Sequence, residues 1–244
     1  MRQRIPSVDP YVPERGAGGY WVGSYDLELD YRVPTNLLDG RARIRVVALE
    51  PLTTIPLDLV GLRVTGATVD GRRARWRHRG GKLDVIPAAA VAAGDEVVVE
   101  VRYRGNPGLT GSPWGPVGWE VLHDGAVVAA QPSGACTWFP CNDLAAQKAP
   151  FTVTITTPSA YLGLANGTLR STRSSGSTTT RVYEQTEPTS PYLMTVHVGR
   201  YVQRGETMNG TTGWTRAAPW YRSPRCTTRP TALHSTGRSL TRAR

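Results

Sequence analysis

An all-β fold is predicted for this 244-residue chain, and three observations carry the prediction. Apolar and polar residues alternate strictly in several segments, which is the pattern of half-buried strands. Glycine (26) and proline (19) are frequent, which suits a turn-rich β architecture better than a helical one. No segment has a convincing helical period, and there is no fixed-length repeat.

Residues 1–19 read as an irregular lead-in, broken by Pro6, Pro10 and Pro13. The first clear strand is Ser24–Val33. Tyr25, Leu27, Leu29, Tyr31 and Val33 share one face, and Asp26, Glu28, Asp30 and Arg32 share the other. A turn over Asn36–Gly40 and a return over Arg41–Leu49 make a hairpin. Asp26, Glu28 and Asp30 then form a solvated face, paired with Arg43 and Arg45 across the hairpin.

Ile55–Val60 and Arg63–Val69 are short strands. Asp70-Gly71 is a hairpin turn leading into a return over Arg72–Arg79. There, arginines surround Trp76. That pattern could stack on nucleic acid, but a solvated strand face with one inward tryptophan is the reading adopted. Lys82–Ile86 is a strand, the alanine-rich Pro87–Gly94 allows one helical turn, and Glu96–Tyr103 alternates again. Gly105–Gly118 is a loop carrying Trp114, and Trp119–Ala130 is a hairpin around Asp124-Gly125. Phe151–Thr157 alternates apolar residues with threonine. Tyr161–Ala165, an Asn166-Gly167 turn, Thr168–Thr172, a flexible tip over Arg173–Ser177, and strands at Thr178–Glu184 and Tyr192–Val198 follow. Residues 20–205 are thus expected to form one β domain.

From Glu206 the alternation stops, and Arg, Thr, Ser and Pro dominate. Such a segment cannot bury enough apolar surface to offset its ordering entropy. Residues 206–244 are expected to be a disordered basic tail, either native or an out-of-frame extension. This tail holds seven arginines against one glutamate, about +6 of the formal net charge of +10. The body is therefore only mildly basic, and nucleic acid is not expected as its partner. Should the tail bind nucleic acid, deleting 206–244 would abolish the binding.

Three cysteines, Cys136, Cys141 and Cys226, do not suggest a secreted disulfide framework. The first residues lack an apolar signal region, and no run nears the ~20 apolar residues of a spanning helix. A cytoplasmic protein without membrane contact is the expectation.

Catalytic motifs are missing. A zinc peptidase needs two histidines one helical turn apart with a glutamate between them, as in H-E-x-x-H. His78, His123, His197 and His234 stand alone. There is no G-x-S-x-G elbow, phosphate loop or G-x-G-x-x-G. Cys136 and Cys141 could be half a metal site, but buried free thiols are the expectation. His123-Asp124 falls on a turn tip and reads as exposed. No catalytic residue and no metal ligand is assigned.

One stretch remains, Gln131–Pro158. Its most specific part is Ala135–Lys148, in which Trp138, Phe139, Pro140, Cys141, Asn142 and Asp143 lead to Lys148 and Ala149. Leu164-Ala165-Asn166-Gly167, Pro191–Met194 and Val198–Tyr201 follow in order. Together these segments, over roughly Tyr20 to Arg204, resemble the M1 zinc aminopeptidases (aminopeptidase N-like). The resemblance implies that family's N-terminal β domain, saddle-shaped and sandwich-like. In the family this domain packs on a thermolysin-like catalytic domain that bears the zinc motif and a G-x-M-E-N motif, and neither motif occurs here.

The resemblance also implies one substrate contact. Gln131 matches the Gln or Glu just before the family's turn, where its carbonyl oxygen would accept a hydrogen bond from the α-ammonium of a peptide N-terminus. Zinc is implied for the full-length family, and none is expected on this chain. Ala145 stands where the family usually has proline, and Pro150 where a strand-compatible residue is usual. The chain is therefore expected to be a truncated family member, inactive alone and prone to self-association through the face meant for the catalytic domain. The alternative is a non-catalytic protein-interaction module on the same fold.

Overall fold

The computed structural model describes residues 9–202 and two further strands, Arg204–Met208 and Thr211–Thr215. In chain order the strands are β1 (Tyr20–Arg32), β2 (Leu37–Ala48), β3 (Ile55–Asp58), β4 (Arg63–Val69), β5 (Arg72–Arg73), β6 (Arg75–Arg79) and β7 (Lys82–Ile86). Then come β8 (Glu96–Gly105), β9 (Leu109–Ser112), β10 (Gly115–Leu122), β11 (Gly125–Ala129), β12 (Ala149–Pro158) and β13 (Leu162–Ala165). The last are β14 (Thr168–Ser175), β15 (Thr178–Thr189), β16 (Val196–Gly199), β17 (Arg204–Met208) and β18 (Thr211–Thr215). Among the described residues no helix is long and apolar enough to cross a membrane. The all-β prediction agrees with this architecture.

An eight-stranded sheet runs in the order β14-β15-β12-β1-β2-β8-β4-β5, a five-stranded sheet β13-β16-β11-β10-β9, and a three-stranded sheet β3-β7-β6. β1 and β12 are parallel, with Tyr25 opposite Phe151 and Leu29 opposite Ile155, whereas the other pairings in these sheets are antiparallel. One continuous apolar cluster takes side chains from all three sheets, including Leu27, Ile44 and Val99, Trp119 and Val198, and Ile55 and Val85. A shared core of this kind ties the sheets together, since each has a face that must leave water.

The alternation in β1 works as expected from Tyr25 to Tyr31, whose apolar side chains are buried. The strand begins four residues earlier than predicted, because a bulge between Val22 and Ser24 shifts the phase. Tyr20 and Val22 are thereby also turned inward, although simple alternation sets them against Tyr25.

On the outer face, charges sit in cross-strand register. Glu28 accepts hydrogen bonds from Arg41 and Arg43, and Arg43 also reaches Asp26. Arg45 was expected to face these acids but instead pairs with Glu96 of β8, its neighbour on the other side.

Other departures have local causes. The Asn36–Gly40 turn is a 3-10 turn over Val33–Thr35 followed by Asn36 in the left-handed region, so β2 starts at Leu37. The Arg72–Arg79 return divides at Ala74, with β5 staying on β4 and β6 leaving to pair with β7. Pro87–Gly94 forms no helical turn; Val91 bridges Leu52 instead. Gly105–Gly118 contains β9 and the start of β10, and β14 runs to Ser175 through most of the expected flexible tip. Tyr192–Val198 begins as a 3-10 turn, Pro191–Leu193, and becomes strand only at Val196. Most of the tail expectation falls outside the described residues; within it β17 and β18 pair as a hairpin.

Candidate functional site

Gln131 sits two residues past the end of β11, followed by a cis peptide bond to Pro132. Its side chain is exposed and hydrogen-bonds to none of the described residues. The backbone beyond it is held firmly. Gly134 donates its N–H to Ala130 O at 2.7 Å. A Cβ on Gly134 would lie 2.8 Å from Gly118 N and 3.0 Å from Ala130 Cα, so only glycine fits between these two strands. The Thr137 hydroxyl donates to Gly134 O at 2.7 Å and accepts from Trp119 N at 3.1 Å. A free amide side chain therefore stands on a fixed turn.

The motif after Gln131 goes inward. Ser133 through Leu144 are all buried. Phe139 makes edge contacts with Tyr25 and Phe151 at centroid separations of 5.6 and 6.1 Å, and Tyr25 stacks on Phe151 at 4.6 Å. Contacts of this kind add about 0.5–1.5 kcal/mol each beyond area burial. Because Tyr25 and Phe151 are register partners in β1 and β12, the motif is wedged against the central parallel pair.

The polar residues of the motif are used internally. Asn142 Oδ1 accepts from Ala17 N at 3.0 Å, and its Nδ2 donates to Ala17 O at 2.9 Å. Gln147 Oε1 accepts from Val22 N at 3.1 Å, and its Nε2 donates to Tyr20 O at 2.9 Å. Since β12 pairs with β1 only from Tyr25 onward, the Gln147 side chain completes the ladder along the bulged end of β1. The lead-in is irregular over residues 9–19, yet it is pinned.

Asp58 was missed as a central residue. It is fully buried at the end of β3, and Cys141 bridges its backbone in both directions. Lys82 Nζ lies 2.5 Å from Oδ1, and Oδ2 accepts from Gly16 N at 2.7 Å and Asp143 N at 3.2 Å. Lys82 also donates to Gly16 O at 3.0 Å. Asp143 Oδ2 accepts from Cys136 N at 3.3 Å, while its Oδ1 has no partner among the described residues. Burial, then the charge of Asp58, pushes the Asp143 carboxyl up to about 7. The spacing of Asp58 and Lys82 in sequence is set by their cross-strand register, which no linear motif reveals.

Cys136 and Cys141 are free and buried. Burial, then Asp143, raises both thiols well above the ordinary range, so neither is a thiolate ready to ligate or attack. His123-Asp124 is exposed on the β10–β11 turn. Asp124 accepts from Tyr161 Oη at 2.5 Å and from Arg200 Nε at 2.8 Å. The tyrosine hydrogen bond, then the arginine, holds its carboxyl below the usual range. Among the described residues no three or more His, Cys, Asp or Glu side chains converge as metal ligands. An open groove of about 450 Å³ on the eight-stranded sheet is lined by Glu28, Asp30, Asp39, Arg41 and Arg102 among others; Gln131 does not line it.

Comparison with known proteins adds to this geometry. Residues 23–193 match the family described as the Peptidase M1 N-terminal domain. No curated protein sequence matches. Among solved structures, the chain is similar to an M1 zinc metallopeptidase from Deinococcus radiodurans, at 29% identity and a TM-score of 0.75, over 83% of this chain and 48% of that one. It is similar to a two-domain M1 zinc metallopeptidase variant bound to L-arginine, at 29% identity and a TM-score of 0.77, over 85% and 49%. A variant from Deinococcus radiodurans bound to a Tyr-Ser-Ala substrate is 28% identical with a TM-score of 0.76, over 85% and 49%. The chain thus spans about half the length of the solved structures it matches.

Proposed function

The chain belongs to the M1 peptidase family, whose N-terminal domain it carries, and from that premise we propose that it serves zinc-dependent removal of N-terminal residues from peptides. In this reading Gln131 receives the substrate amine. The observation that carries it is the exposed, unengaged Gln131 side chain on a turn whose backbone is fixed. Its Oε1 can accept a charge-assisted hydrogen bond from an α-ammonium, which a blocked N-terminus does not offer. The L-arginine and Tyr-Ser-Ala ligands of the two relatives are compatible with a site for free α-amino groups.

In the family, zinc polarises the scissile carbonyl and activates water. The described residues do not fit such a site. Cys136 and Cys141 are protonated and enclosed, His78 Nε2 is engaged by Leu59 O, and His197 Nε2 is engaged by Thr195 Oγ1. The metal would be held by a catalytic half. H-E-x-x-H and G-x-M-E-N are both missing from the 244 residues, which supports a reading in which the chain by itself hydrolyses no peptide. What it supplies is substrate binding, since a contact to the amine, remote from the bond that breaks, holds the peptide equally in the ground and transition states. Leu109, Trp114, Val121 and Leu122, exposed on β9 and β10 and the turn between them, would support self-association where no catalytic half covers them.

An assay of the chain with added zinc and an aminoacyl p-nitroanilide tests this division of labour. No turnover above a protein-free blank is expected, and clear turnover would overturn the reading.

A further inference from the structure

Residues 72–79 form the rim of two sheets at once. β5 ends the eight-stranded sheet and β6 ends the three-stranded sheet, and the chain passes between them at buried Ala74. Along these eight residues Arg72, Arg73, Arg75, Arg77 and Arg79 are all exposed. Among the described residues none of the five has a carboxylate within 4.0 Å. The contrast with the broad sheet is sharp, because there Arg41, Arg43, Arg45, Arg102 and Arg104 are each paired with an acid. A row of unpaired like charges is destabilising by itself, so this rim holds repulsion that the arginines of β2 and β8 have neutralised.

The backbone of β6 is equally open. β6 and β7 are joined by Gly80-Gly81, with φ of 59° and 81°, a two-residue turn that makes Arg79 and Lys82 a hydrogen-bonded closing pair. Alternation then places Arg77 with Asp84 and Arg75 with Ile86 in hydrogen-bonded pairs, which leaves the N–H and C=O of Trp76 and His78 facing out from the edge. The side chains of these two residues fix the strand. Trp76 packs against the core, and His78 Nε2 lies 2.8 Å from Leu59 O.

A fixed edge with free backbone groups is a template for one more strand. Cationic side chains ordinarily discourage such addition, unless the incoming strand carries the opposite charge. Residues i and i+2 lie about 6.6–6.8 Å apart in any strand. Carboxylates at every second position of an added strand therefore fall in step with Arg75, Arg77 and Arg79. We propose that the Arg72–Arg79 rim binds an extended acidic peptide segment of a partner, which joins β6 as a strand with alternate carboxylates on the arginine face. A nucleic acid could use the charge but has no backbone amides to meet Trp76 and His78.

Fluorescence anisotropy on the full chain tests this with a labelled octapeptide of alternating Glu and Thr. Three further probes accompany it: a peptide of the same composition with its glutamates contiguous, the alternating peptide N-methylated along one edge, and a single-stranded oligonucleotide of equal charge. The alternating peptide is expected to bind at least about 10-fold more tightly than the contiguous one. N-methylation is expected to weaken it about 10-fold, as is the triple change Arg75→Glu, Arg77→Glu and Arg79→Glu, with the circular dichroism unchanged. Absence of binding, equal binding of the two peptides, tighter binding of the oligonucleotide, or indifference to N-methylation would each overturn the proposal.

Discussion

Lys82 Nζ stands 2.5 Å from Oδ1 of Asp58, a carboxylate with no exposed surface. This pair joins β3 to β7 and, through Gly16, clamps the lead-in onto both. Breaking such a pair from one side leaves a buried charge without its partner. Lys82→Met is expected to destabilise the chain by about 3 kcal/mol, the low end of the usual range because Lys82 keeps partial solvent contact. Urea unfolding of variant and parent measures it, and Asp58→Asn in the Lys82→Met background should recover part of the loss.

Asp143 lies against that pair and titrates far from its ordinary range, at about 7 against 3.8. An acid whose folded value is raised binds more protons in the folded state, so its contribution is fully present below about pH 4 and is lost as pH rises through about 7. Asp143→Asn carries no proton to lose, so the stability difference between variant and parent should grow in the variant's favour from pH 4 to 7 and level off above. Unfolding midpoints across that interval check the sign.

Gln147 stands in for a missing strand partner at the bulged end of β1. Gln147→Ala leaves Val22 N and Tyr20 O unpaired in the interior, which should cost about 2–6 kcal/mol in total. Amide exchange at Val22 is expected to speed up by more than at Leu27, which β12 covers.

The legible parts of the fold were those in which one face meets water and the other the core: β1 from Tyr25, β8 and β12. Pairing was not legible. Nothing in the alternation of Phe151–Thr157 tells that it runs parallel to β1, and a bulge at Gly23 hides Tyr20 and Val22 by moving them out of phase. Ala74 divides a run of arginines that alternation alone reads as one strand. Gln131 was singled out by its place before a recognisable motif, and the structure shows its side chain exposed. Asp58 and Lys82 lie 24 residues apart and meet only through strand register, so sequence proximity could not join them. The motif itself turned out to be an internal clamp: Asn142, Asp143 and Gln147 face the lead-in and the core.

The most direct measurement is the Michaelis constant of a chimera that joins this chain's β domain to the remaining half of the unsubstituted M1 zinc metallopeptidase from Deinococcus radiodurans, with and without Gln131→Ala. The chimera is expected to cleave peptides with free N-termini. Gln131→Ala should raise KM by about 10-fold or more at nearly unchanged kcat, as loss of a hydrogen bond to a charged group requires. An unchanged KM, or a folded chimera that cleaves nothing, would contradict the account.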